Sequence, residues 1–274
     1  MKTQIIRFLH RLGIGITSSK NLEDLRSSRS EVNYNGELVK FIDKINEIPI
    51  SNKTNRLVIQ EFSRSLGQIH QDLIALIFTG FKCEGYFVEF GATNGISCSN
   101  TYLLETSFGW TGILAEPAKR WHTELRKNRK SAIEERCVWR ASGETLEFNQ
   151  TEIGELSTLE AFSSGDMHAT ARESGDRYLV ETISLEDLLD SQNAPRFIDY
   201  LSIDTEGSEF EILNAFNFEK YSFGLITCEH NYTDHREQVF NLLVSKGYRR
   251  VLEHMSQFDD WYVHKSLLDN SPTF

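Results

Sequence analysis

The segment Tyr86-Phe87-Val88-Glu89-Phe90-Gly91-Ala92-Thr93-Asn94-Gly95 decides the fold of this chain. An apolar run typical of a buried strand leads into Glu89 and then into a loop with two glycines. In open parallel sheets, ligands bind outside the carboxyl ends of the strands, near the point where strand order reverses. Because glycine lacks a Cβ, the backbone at Gly91 and Gly95 can approach a ligand closely. The segment predicts the first strand and cofactor loop of an α/β domain, although a glycine turn that binds nothing fits the same residues.

The spacing of this loop differs from that of a dinucleotide-binding fold. Such folds carry G-x-G-x-x-G and direct a helix N-terminus at a pyrophosphate. The loop here reads Glu-x-Gly-x-x-x-Gly instead. An acid combined with a polar side chain favours a nucleotide-like cofactor that has no phosphate.

A second strand that ends in an acid follows in Gly112-Ile113-Leu114-Ala115-Glu116-Pro117. In nucleotide-binding α/β folds, an acid about 20 residues beyond the glycine loop accepts hydrogen bonds from the ribose hydroxyls. Glu116 lies slightly farther along the chain, and a full helix between the two strands accounts for the difference. Pro117 cannot continue the strand ladder and suits the first turn of the next helix. We expect Glu116 to bind the cofactor, while a solvated strand end is the alternative.

The composition is that of an acidic globular protein. The chain has 274 residues and a formal net charge of −11, which argues against a nucleic-acid partner because phosphate binding needs clustered Lys and Arg. No segment reaches the roughly 20 apolar residues that span a bilayer. The basic stretch 1–16 is expected to form a helix docked on the protein or an amphipathic helix in peripheral contact with a membrane. The cysteines show no C-x-x-C or zinc spacing, which favours a reducing, cytoplasmic setting. They are Cys83, Cys98, Cys137 and Cys228.

The pattern of apolar residues divides the chain near residue 82. Residues 1–82 are expected to form a helical appendage, and residues 83–274 an α/β domain in which short strands alternate with helices. The predicted helices of the appendage lie near 22–25, 38–48 and 56–78. The predicted strands lie near 86–90, 112–115, 132–138, 199–203, 223–228, 248–253 and 260–264. The other predicted helices lie near 97–107, 118–129, 184–190, 208–215 and 234–246.

Two connections in the α/β domain carry further predictions. The last two strands are close enough in sequence to form an antiparallel hairpin at the edge of a parallel sheet. The stretch 149–178 is polar and contains three glycines. A connection of that length inside a compact domain is usually a functional lid or a disordered segment. Its place in the chain predicts a lid over an acceptor.

A second group of acids follows the strand near 199–203, in the sequence Asp204-Thr205-Glu206-Gly207-Ser208-Glu209-Phe210-Glu211. Ser208 is predicted to cap the next helix, with Glu211 at the N3 position of a capping box. Acids favour a helix N-terminus, so Glu209 and Glu211 need no functional explanation. Asp204 and Glu206 do, because the topology places them beside the cofactor loop.

The next strand ends in Cys228-Glu229-His230-Asn231, so Glu229 and His230 are expected to meet Asp204 and Glu206 at one rim of the sheet. A histidine can accept a proton near neutral pH, which favours base chemistry or substrate binding. A structural carboxylate–histidine cluster is a second interpretation. A divalent metal such as Mg²⁺, held by Asp204, Glu229 and His230, is a third.

These segments, in this order, resemble the FkbM family of S-adenosylmethionine-dependent methyltransferases. The resemblance runs from about residue 85 to 265. It rests on FVEFGATNG, SNTYLLE, GILAEP, ISLEDLL, YLSIDTEGSEFEIL, CEHN and LLVSKGYRRV. It implies a Rossmann-like methyltransferase fold with a mostly parallel seven-stranded sheet of order 3-2-1-4-5-7-6, the last strand being antiparallel. The appendage before residue 85 lies outside the resemblance.

The resemblance also implies an activity and a set of site residues. The activity is O-methylation of a hydroxyl on a sugar, a glycan or a natural product, with S-adenosylmethionine as cofactor. One departure concerns Asn94, where many relatives carry Asp, because an amide brings no charge to the ammonium group of the cofactor. The implied cofactor-binding residues are Glu89, Gly91, Ala92, Asn94, Gly95, Glu116, Pro117 and Asp204, and the implied catalytic residues are His230, Glu206 and Asp204.

His230 is our first candidate for the base that deprotonates the acceptor, with Asp204 or Glu229 orienting it and Glu206 as the next candidate. Two other classes of protein stay open. An NAD-dependent sugar-modifying enzyme is disfavoured, because the chain lacks both a G-x-G-x-x-G loop and a suitably placed Tyr-x-x-x-Lys pair. A non-catalytic binding module is the other class. Five aromatic residues could stack on a sugar, but core or rim packing is the favoured explanation: Trp121, Trp139, Tyr178, Tyr232 and Trp261.

Overall fold

The computed structural model describes residues 29–46, 48 and 50–269, so the predicted helices near 1–16 and 22–25 lie outside the described residues. The described chain divides into two compact units, residues 29–65 and residues 66–269. The helices of these units are α1 (Arg29–Ile45), α2 (Asn52–Glu61), α3 (Gln71–Phe78), α4 (Tyr102–Phe108), α5 (His122–Asn128), α6 (Ala169–Arg172), α7 (Leu185–Ser191), α8 (Glu209–Ala215), α9 (His235–Ser245) and α10 (Lys265–Asp269). The strands are β1 (Tyr86–Phe90), β2 (Thr111–Ala115), β3 (Ala132–Glu134), β4 (Cys137–Trp139), β5 (Thr145–Gln150), β6 (Thr158–Leu159), β7 (Asp176–Ser184), β8 (Phe197–Ile203), β9 (Ser222–Glu229), β10 (Tyr248–Val251) and β11 (Asp259–His264).

The first unit is helical, as predicted for this part of the chain. The Ser51 side chain accepts a hydrogen bond from the Thr54 N–H and so caps α2. The rings of Phe41 and Phe62 pack with centroids 5.6 Å apart, which joins α1 to the short 3₁₀ turn after α2.

The single helix predicted near 56–78 is wrong, because the structure contains two helices, α2 and α3. Side chains at the start of α3 bond to the backbone of the connecting turn. The Leu66 N–H donates to Asp72 and the Ile69 N–H to Gln71, at 3.0 Å each. Such bonds offer the backbone an alternative to the helix. His70 adopts a left-handed conformation with φ of 63°, which separates the two helices.

The main sheet has seven strands in the order β3-β2-β1-β8-β9-β11-β10. The pairs among β3, β2, β1, β8 and β9 are parallel, whereas β11 is antiparallel to both of its neighbours. Counted along the chain, this is the predicted order 3-2-1-4-5-7-6 with the last strand antiparallel. The Rossmann-like fold is therefore confirmed. Strand order reverses between β1 and β8, so their carboxyl ends flank the expected crevice.

The core lies on both faces of this sheet. In the central strands Val88 pairs with Ile113 and Leu201, and these three fully buried side chains share one face. Phe87 and Leu114, which point to the opposite face, are fully buried as well. Strands buried on both faces are expected when helices cover a parallel sheet. This rigid centre fixes the positions of the residues that follow β1, β2, β8 and β9.

A second sheet, with strand order β4-β7-β5-β6, was not predicted. The predicted strand 132–138 is instead two strands, β3 and β4, which belong to different sheets. They separate where Arg136 donates from its backbone N–H and its guanidinium to the Glu134 carboxylate. The stretch 149–178 is likewise not a bare connection, since it contains β6, α6 and the start of β7.

Three of the other predicted helices, α7, α8 and α9, begin within one residue of the predicted start, whereas α1 begins at Arg29, nine residues before the start predicted near residue 38. Helix α7 begins after Ser184, whose side chain accepts a hydrogen bond from the Asp187 N–H. Two helices begin later than predicted: α4 at Tyr102 instead of residue 97, and α5 at His122 instead of residue 118. None of the helices in the described residues is both long and apolar enough to cross a membrane.

Candidate functional site

A cavity of about 270 Å³ opens at the carboxyl ends of the central strands. Its walls come from the residues that end or follow β1, β2, β8 and β9, and from the stretch between β5 and β7. The predicted residues that line it are Glu89, Gly91, Glu116, Pro117, Asp204, Glu206 and Glu229. The predicted Ala92, Asn94, Gly95 and His230 are not among the lining residues.

The charge of this cavity is strongly negative. Six carboxylates line it, and no lysine or arginine is among its described lining residues, although His168 is. The charges act in a concave, partly dehydrated space, where electrostatic interactions are stronger than in water. The cavity therefore favours a cationic or neutral ligand over a phosphate. The six carboxylates are Glu89, Glu116, Glu155, Asp204, Glu206 and Glu229.

Gly91 allows the cofactor loop to pack directly against the end of β8. Its φ is +73°, a conformation that favours glycine, and a Cβ here would lie 2.2 Å from the carbonyl oxygen of Asp204. Gly95 has a different role, because a Cβ there would meet the side chains of Arg129 and Leu125 at 2.6 and 2.8 Å. Of the two glycines, the structure places only Gly91 at the cavity.

Asn94 and Ala92 shape the loop from within. The Asn94 side-chain oxygen accepts hydrogen bonds from the N–H groups of Ile96 and Ser97, at 3.0 and 2.9 Å. An Asn that bonds to its own backbone in this way stabilises a turn. Ala92 is buried. The Asn94 side chain therefore stabilises the turn and is not among the residues that line the cavity.

Glu89 organises the whole loop between β1 and α4. Its buried carboxylate accepts hydrogen bonds from the Ser99 and Thr101 hydroxyls and from the Asn100 N–H. These bonds hold residues 99–101 out of the predicted helix, which explains why α4 begins at Tyr102. Glu89 still forms part of the cavity wall.

Arg129 is the buried cation behind this loop. Its fully buried guanidinium lies 3.5 Å from the Glu89 carboxylate and 3.0 Å from that of Glu105, and it donates to Ser99 and Thr101. Arg129 was not among the predicted site residues. Its position at the end of the predicted helix 118–129 gave no signal of a partner 40 residues earlier in the chain.

Glu116 links the two halves of the cofactor crevice. One carboxylate oxygen accepts from the Thr93 N–H at 2.8 Å and the other from the Ala118 N–H at 2.7 Å. Burial raises the pKa of Glu116 to about 7, and these two hydrogen bonds oppose the shift. A carboxylate oxygen has two lone pairs, so each oxygen can accept a second hydrogen bond from a ligand.

The loop after β8 is held by Glu209 and not by the predicted capping box. Ser208 makes no capping bond to α8, and its hydroxyl donates to the Thr205 hydroxyl instead. The Glu209 carboxylate accepts from the N–H groups of Thr205 and Gly207. Helix α8 begins at Glu209 as predicted, but the cap is wrong because Glu209 folds back onto the loop.

Arg172 connects the stretch 149–178 to this loop. The guanidinium is fully buried and lies 2.6 Å from the Glu206 carboxylate and 2.7 Å from that of Asp166. The Asn231 side chain donates to the same Glu206 oxygen at 3.0 Å. Arg172 was not predicted from the sequence, and neither were Glu155 and His168, which line the cavity. The signal that could have indicated them is the presence of charged residues in a polar, glycine-containing stretch.

Asp204, Glu206 and Glu229 come together as predicted. One carboxylate oxygen from each lies within 4.8 Å of the others. Burial, followed by the charges of neighbouring acids, raises the pKa values of Asp204 and Glu229 well above their usual range, and a hydrogen bond with Glu229 offsets part of the shift at Asp204. Burial raises the pKa of Glu206 to about 8, and the charge of Arg172 opposes this shift. These carboxylates are stronger bases than solvated ones.

The structure does not bring His230 into this group. Its Nδ1 accepts from the Tyr232 N–H at 3.0 Å, and its Nε2 lies 3.2 Å from the Ser256 hydroxyl. Burial lowers the pKa of His230 to about 4, so the ring is neutral at pH 7. Both ring nitrogens are occupied, which makes His230 a support for the loop that carries Asn231.

The aromatic candidates lie outside the cavity lining. Trp139 and Trp261 are buried, and Trp121 packs against the core of the second sheet. The Tyr178 hydroxyl accepts from the Lys119 N–H at 3.1 Å, whereas Tyr232 is exposed. All but the exposed Tyr232 thus have the core or rim packing that was the favoured explanation from the sequence.

The Arg172 pair gives a test of how the site is held together. We expect Arg172→Met to lower the free energy of unfolding by ~3–5 kcal/mol, because it leaves two buried carboxylates without their cation. Arg177→Met is the matched control, since Arg177 makes a half-exposed pair with Glu160 and should contribute less than ~1 kcal/mol. Urea unfolding monitored by circular dichroism measures both variants. Equal effects of the two substitutions would show that the buried pair is not what holds the stretch 149–178 to the site.

Comparison with known proteins assigns the family of this chain but does not identify its acceptor. The sequence profile of the FkbM methyltransferase domain matches residues 89–262. No curated protein shows significant sequence similarity to this chain.

Solved structures give only weak likenesses. The precorrin-6y C5,15-methyltransferase of Geobacter metallireducens is 10% identical over 70% of this chain and 85% of that chain, with a TM-score of 0.38. The methyltransferase FkbM of Methylobacillus flagellatus is 14% identical over 66% of this chain and 44% of that chain, with a TM-score of 0.39. Likenesses of this size carry no argument about function.

The profile match is different in kind, because it covers most of the second unit and all six carboxylates of the cavity. This chain belongs to the FkbM family of S-adenosylmethionine-dependent methyltransferases.

Proposed function

We propose that this protein transfers a methyl group from S-adenosylmethionine to a hydroxyl oxygen of a sugar, a glycan or a natural product. The observation that carries the proposal is the cavity at the strand-order reversal, which six carboxylates line and to which residues 29–46, 48 and 50–269 contribute no lysine or arginine. When bound, S-adenosylmethionine supplies a methyl group on a positively charged sulfonium. A cavity of this charge suits such a donor.

The residues of the first two strand ends fit this cofactor. Gly91 leaves open the space that a Cβ would fill beside the Asp204 carbonyl. Glu116 keeps one free lone pair on each oxygen, which suits the two hydroxyls of a ribose. We infer that Glu116 and Pro117 hold the nucleoside part, and that Glu89 acts mainly by fixing the loop around it.

The charge of the cavity also restricts the acceptor. A phosphate or carboxylate near Asp204, Glu206 and Glu229 would add negative charge beside three acids whose pKa values burial already raises, which is unfavourable. A neutral hydroxyl meets no such barrier and can donate a hydrogen bond to any of the three. The acidic lining therefore favours a hydroxyl-bearing small molecule or glycan over an anionic group as the acceptor.

Asp204 is the residue that we propose as the proton acceptor. It lines the cavity and is partly exposed there, and because burial raises its pKa, its ionised form is a stronger base than a solvated carboxylate. Glu229 lies beside it and can share the proton, while Arg172 and Asn231 hold Glu206 in place. His230, our first candidate from the sequence, has no free nitrogen for this role. It positions the loop after β9 instead.

The two rival classes find less support in the site. A nicotinamide dinucleotide carries a pyrophosphate, which the six carboxylates would repel. A binding module without activity would retain the cofactor site but show no turnover. We further propose a cytoplasmic location, since the four thiols are free, as is usual for a reducing compartment.

Gly91 allows a direct test of the cofactor crevice. We expect Gly91→Ala to weaken the binding of S-adenosylhomocysteine by about tenfold or more, a loss of ~1.4 kcal/mol, because the new Cβ displaces the loop from Asp204. Gly143→Ala is the control: its φ of +78° imposes the same backbone strain, but no atom lies within 4 Å of the new Cβ. Isothermal titration calorimetry compares the two. Normal affinity in Gly91→Ala would remove this loop from the cofactor site.

The pKa of Glu116 predicts how cofactor affinity depends on pH. Ribose hydroxyls donate to the ionised carboxylate, and with a pKa of about 7 this form is lost as the pH falls. We expect affinity for S-adenosylhomocysteine to be several-fold, at most about tenfold, lower at pH 6 than at pH 8.

The other ionisable groups near Glu116 are the same in the wild type and in Glu116→Gln. Burial raises the pKa values of Cys137 and Tyr178 and lowers that of His122, while Glu155 adds a negative charge. Glu206 titrates near pH 8 and acts on both proteins alike, so the comparison with Glu116→Gln isolates Glu116. An unchanged pH slope in Glu116→Gln would contradict the assignment.

Methyl transfer itself tests the proposed function. The full chain is incubated with methyl-labelled S-adenosylmethionine and a panel of monosaccharides, nucleotide sugars and polyhydroxylated natural products. We expect label in an O-methyl ether, and label on nitrogen or carbon would overturn the proposal. Cofactor binding without any transfer would favour the binding module.

Once an acceptor is known, single-turnover rates assign the base. We expect Asp204→Asn to slow transfer by ~10²–10⁴-fold with nearly unchanged affinity for S-adenosylhomocysteine. His230→Asn should leave the rate within a few-fold of the wild type, provided that the loop stays folded. The opposite ranking would return the role of base to His230.

A further inference from the structure

The acceptor side of the cavity concentrates negative charge in a small volume. Asp204, Glu206 and Glu229 follow two neighbouring strands, β8 and β9, and each places an oxygen within 4.8 Å of the other two. Like charges this close repel each other, and their removal from water adds to the cost. The protein nevertheless fixes all three in one place.

Each of the three is held by contacts of its own. The backbone of Asp204 packs against Gly91. One Glu206 oxygen is held by Arg172 and Asn231, which leaves its second oxygen free. Glu229 ends the buried strand β9 and pairs across the ladder with Asp259 of β11. The cluster is therefore built into the fold and is not a set of mobile surface acids.

A second observation shows that this cluster lacks a partner. Glu229 is 7% exposed, it lines the cavity, and its Oε2 has no hydrogen-bond partner within the described part of the chain. A buried acceptor without a donor is rare in proteins and calls for an explanation. With no lysine or arginine in the described cavity wall, the described residues supply no cationic partner for this oxygen.

We propose that Asp204, Glu206 and Glu229 bind one divalent cation of the Mg²⁺ or Ca²⁺ type. Carboxylate oxygens are the preferred ligands of these hard cations. Two ligands of one such ion can be separated by at most twice a metal–oxygen distance, about 4–5 Å, and the three oxygens lie within 4.8 Å of one another, so one ion can reach all three. The site contains Glu206 in place of the predicted ligand His230.

The proposal deepens the proposed function, because it rests on the same cavity and gives the acceptor side of it a positive partner. Asp204 would bind the cation through one carboxylate oxygen and accept the proton on the other, so this residue has both roles. Three carboxylates leave part of the coordination sphere open. A hydroxyl-bearing acceptor, preferably one with two neighbouring hydroxyls, could complete it. The cation would thus favour sugars and other polyols over isolated alcohols.

Mn²⁺ binding to the full chain tests the site without any acceptor or turnover. Titration followed by the electron paramagnetic resonance of free Mn²⁺ should show one saturable site, with Mg²⁺ or Ca²⁺ competing for it. We expect Glu229→Gln to weaken Mn²⁺ binding by about tenfold or more. Asp204→Asn should do the same and covers the case in which the first variant folds poorly.

Glu155→Gln is the matched control, because Glu155 lines the same cavity but does not belong to the group of three. It removes the same charge and should change Mn²⁺ affinity by no more than a few-fold. If Glu155→Gln weakens Mn²⁺ binding as much as Glu229→Gln does, the cation is attracted by the negative charge of the cavity in general, and the three-carboxylate site is wrong. The proposal is also overturned if the wild type shows no saturable Mn²⁺ binding.

The two proposals fail in distinguishable ways. Mn²⁺ binding together with the absence of methyl transfer would reject the proposed function and keep the cation site. Transfer that survives chelation, in a protein without saturable Mn²⁺ binding, would reject the cation site and keep the function.

Discussion

The organisation of this protein depends on the burial of acidic groups at the end of a parallel sheet. The topology brings the ends of β1, β2, β8 and β9 to one crevice, and each of these ends carries a carboxylate. Charges of one sign cannot be buried together unless cations or hydrogen bonds compensate them. Arg129 does so behind Glu89, and Arg172 beside Glu206. Both guanidiniums lie behind the wall, so the cavity itself keeps its negative charge.

This arrangement separates two roles that a carboxylate can have. Glu89 and Glu209 accept several hydrogen bonds from the surrounding loops, and their main effect is to set the course of the backbone. Glu116, Asp204 and Glu229 retain unused acceptor capacity toward the cavity. The first kind of acid builds the walls, and the second kind is available to ligands. Carboxylates in one site thus have two different roles, one structural and one in ligand binding.

The sequence predicted the parts of the structure that local patterns determine. Apolar strands that end in acids gave the α/β class, and the resemblance to the FkbM family gave the strand order. The expectation that Glu116, Asp204 and Glu229 lie at one edge of the sheet followed from that topology. Contacts between distant parts of the chain could not be read in this way. Arg129 and Arg172 are single charges in polar stretches, and their partners lie 40 and 34 residues away. His230 and Asn94 were placed at the correct loops, but the hydrogen bonds that turn them away from the cavity depend on backbone conformations that the sequence does not specify.

The second sheet shows the same limit. Strand β4 follows β3 after only two residues, so the apolar pattern continues while the chain changes sheets. Strand β6 has two residues, too few for any periodicity to be visible.

The negative lining of the cavity also has a consequence for turnover. The methyl donor enters with a positively charged sulphur, whereas the same sulphur leaves as a neutral thioether. Attraction between the walls and the sulphur therefore disappears in the step that transfers the methyl group. In the proposed reaction the cavity thus binds the charged methyl donor more tightly than the neutral product. This difference favours the exchange of spent cofactor for fresh cofactor without a conformational change.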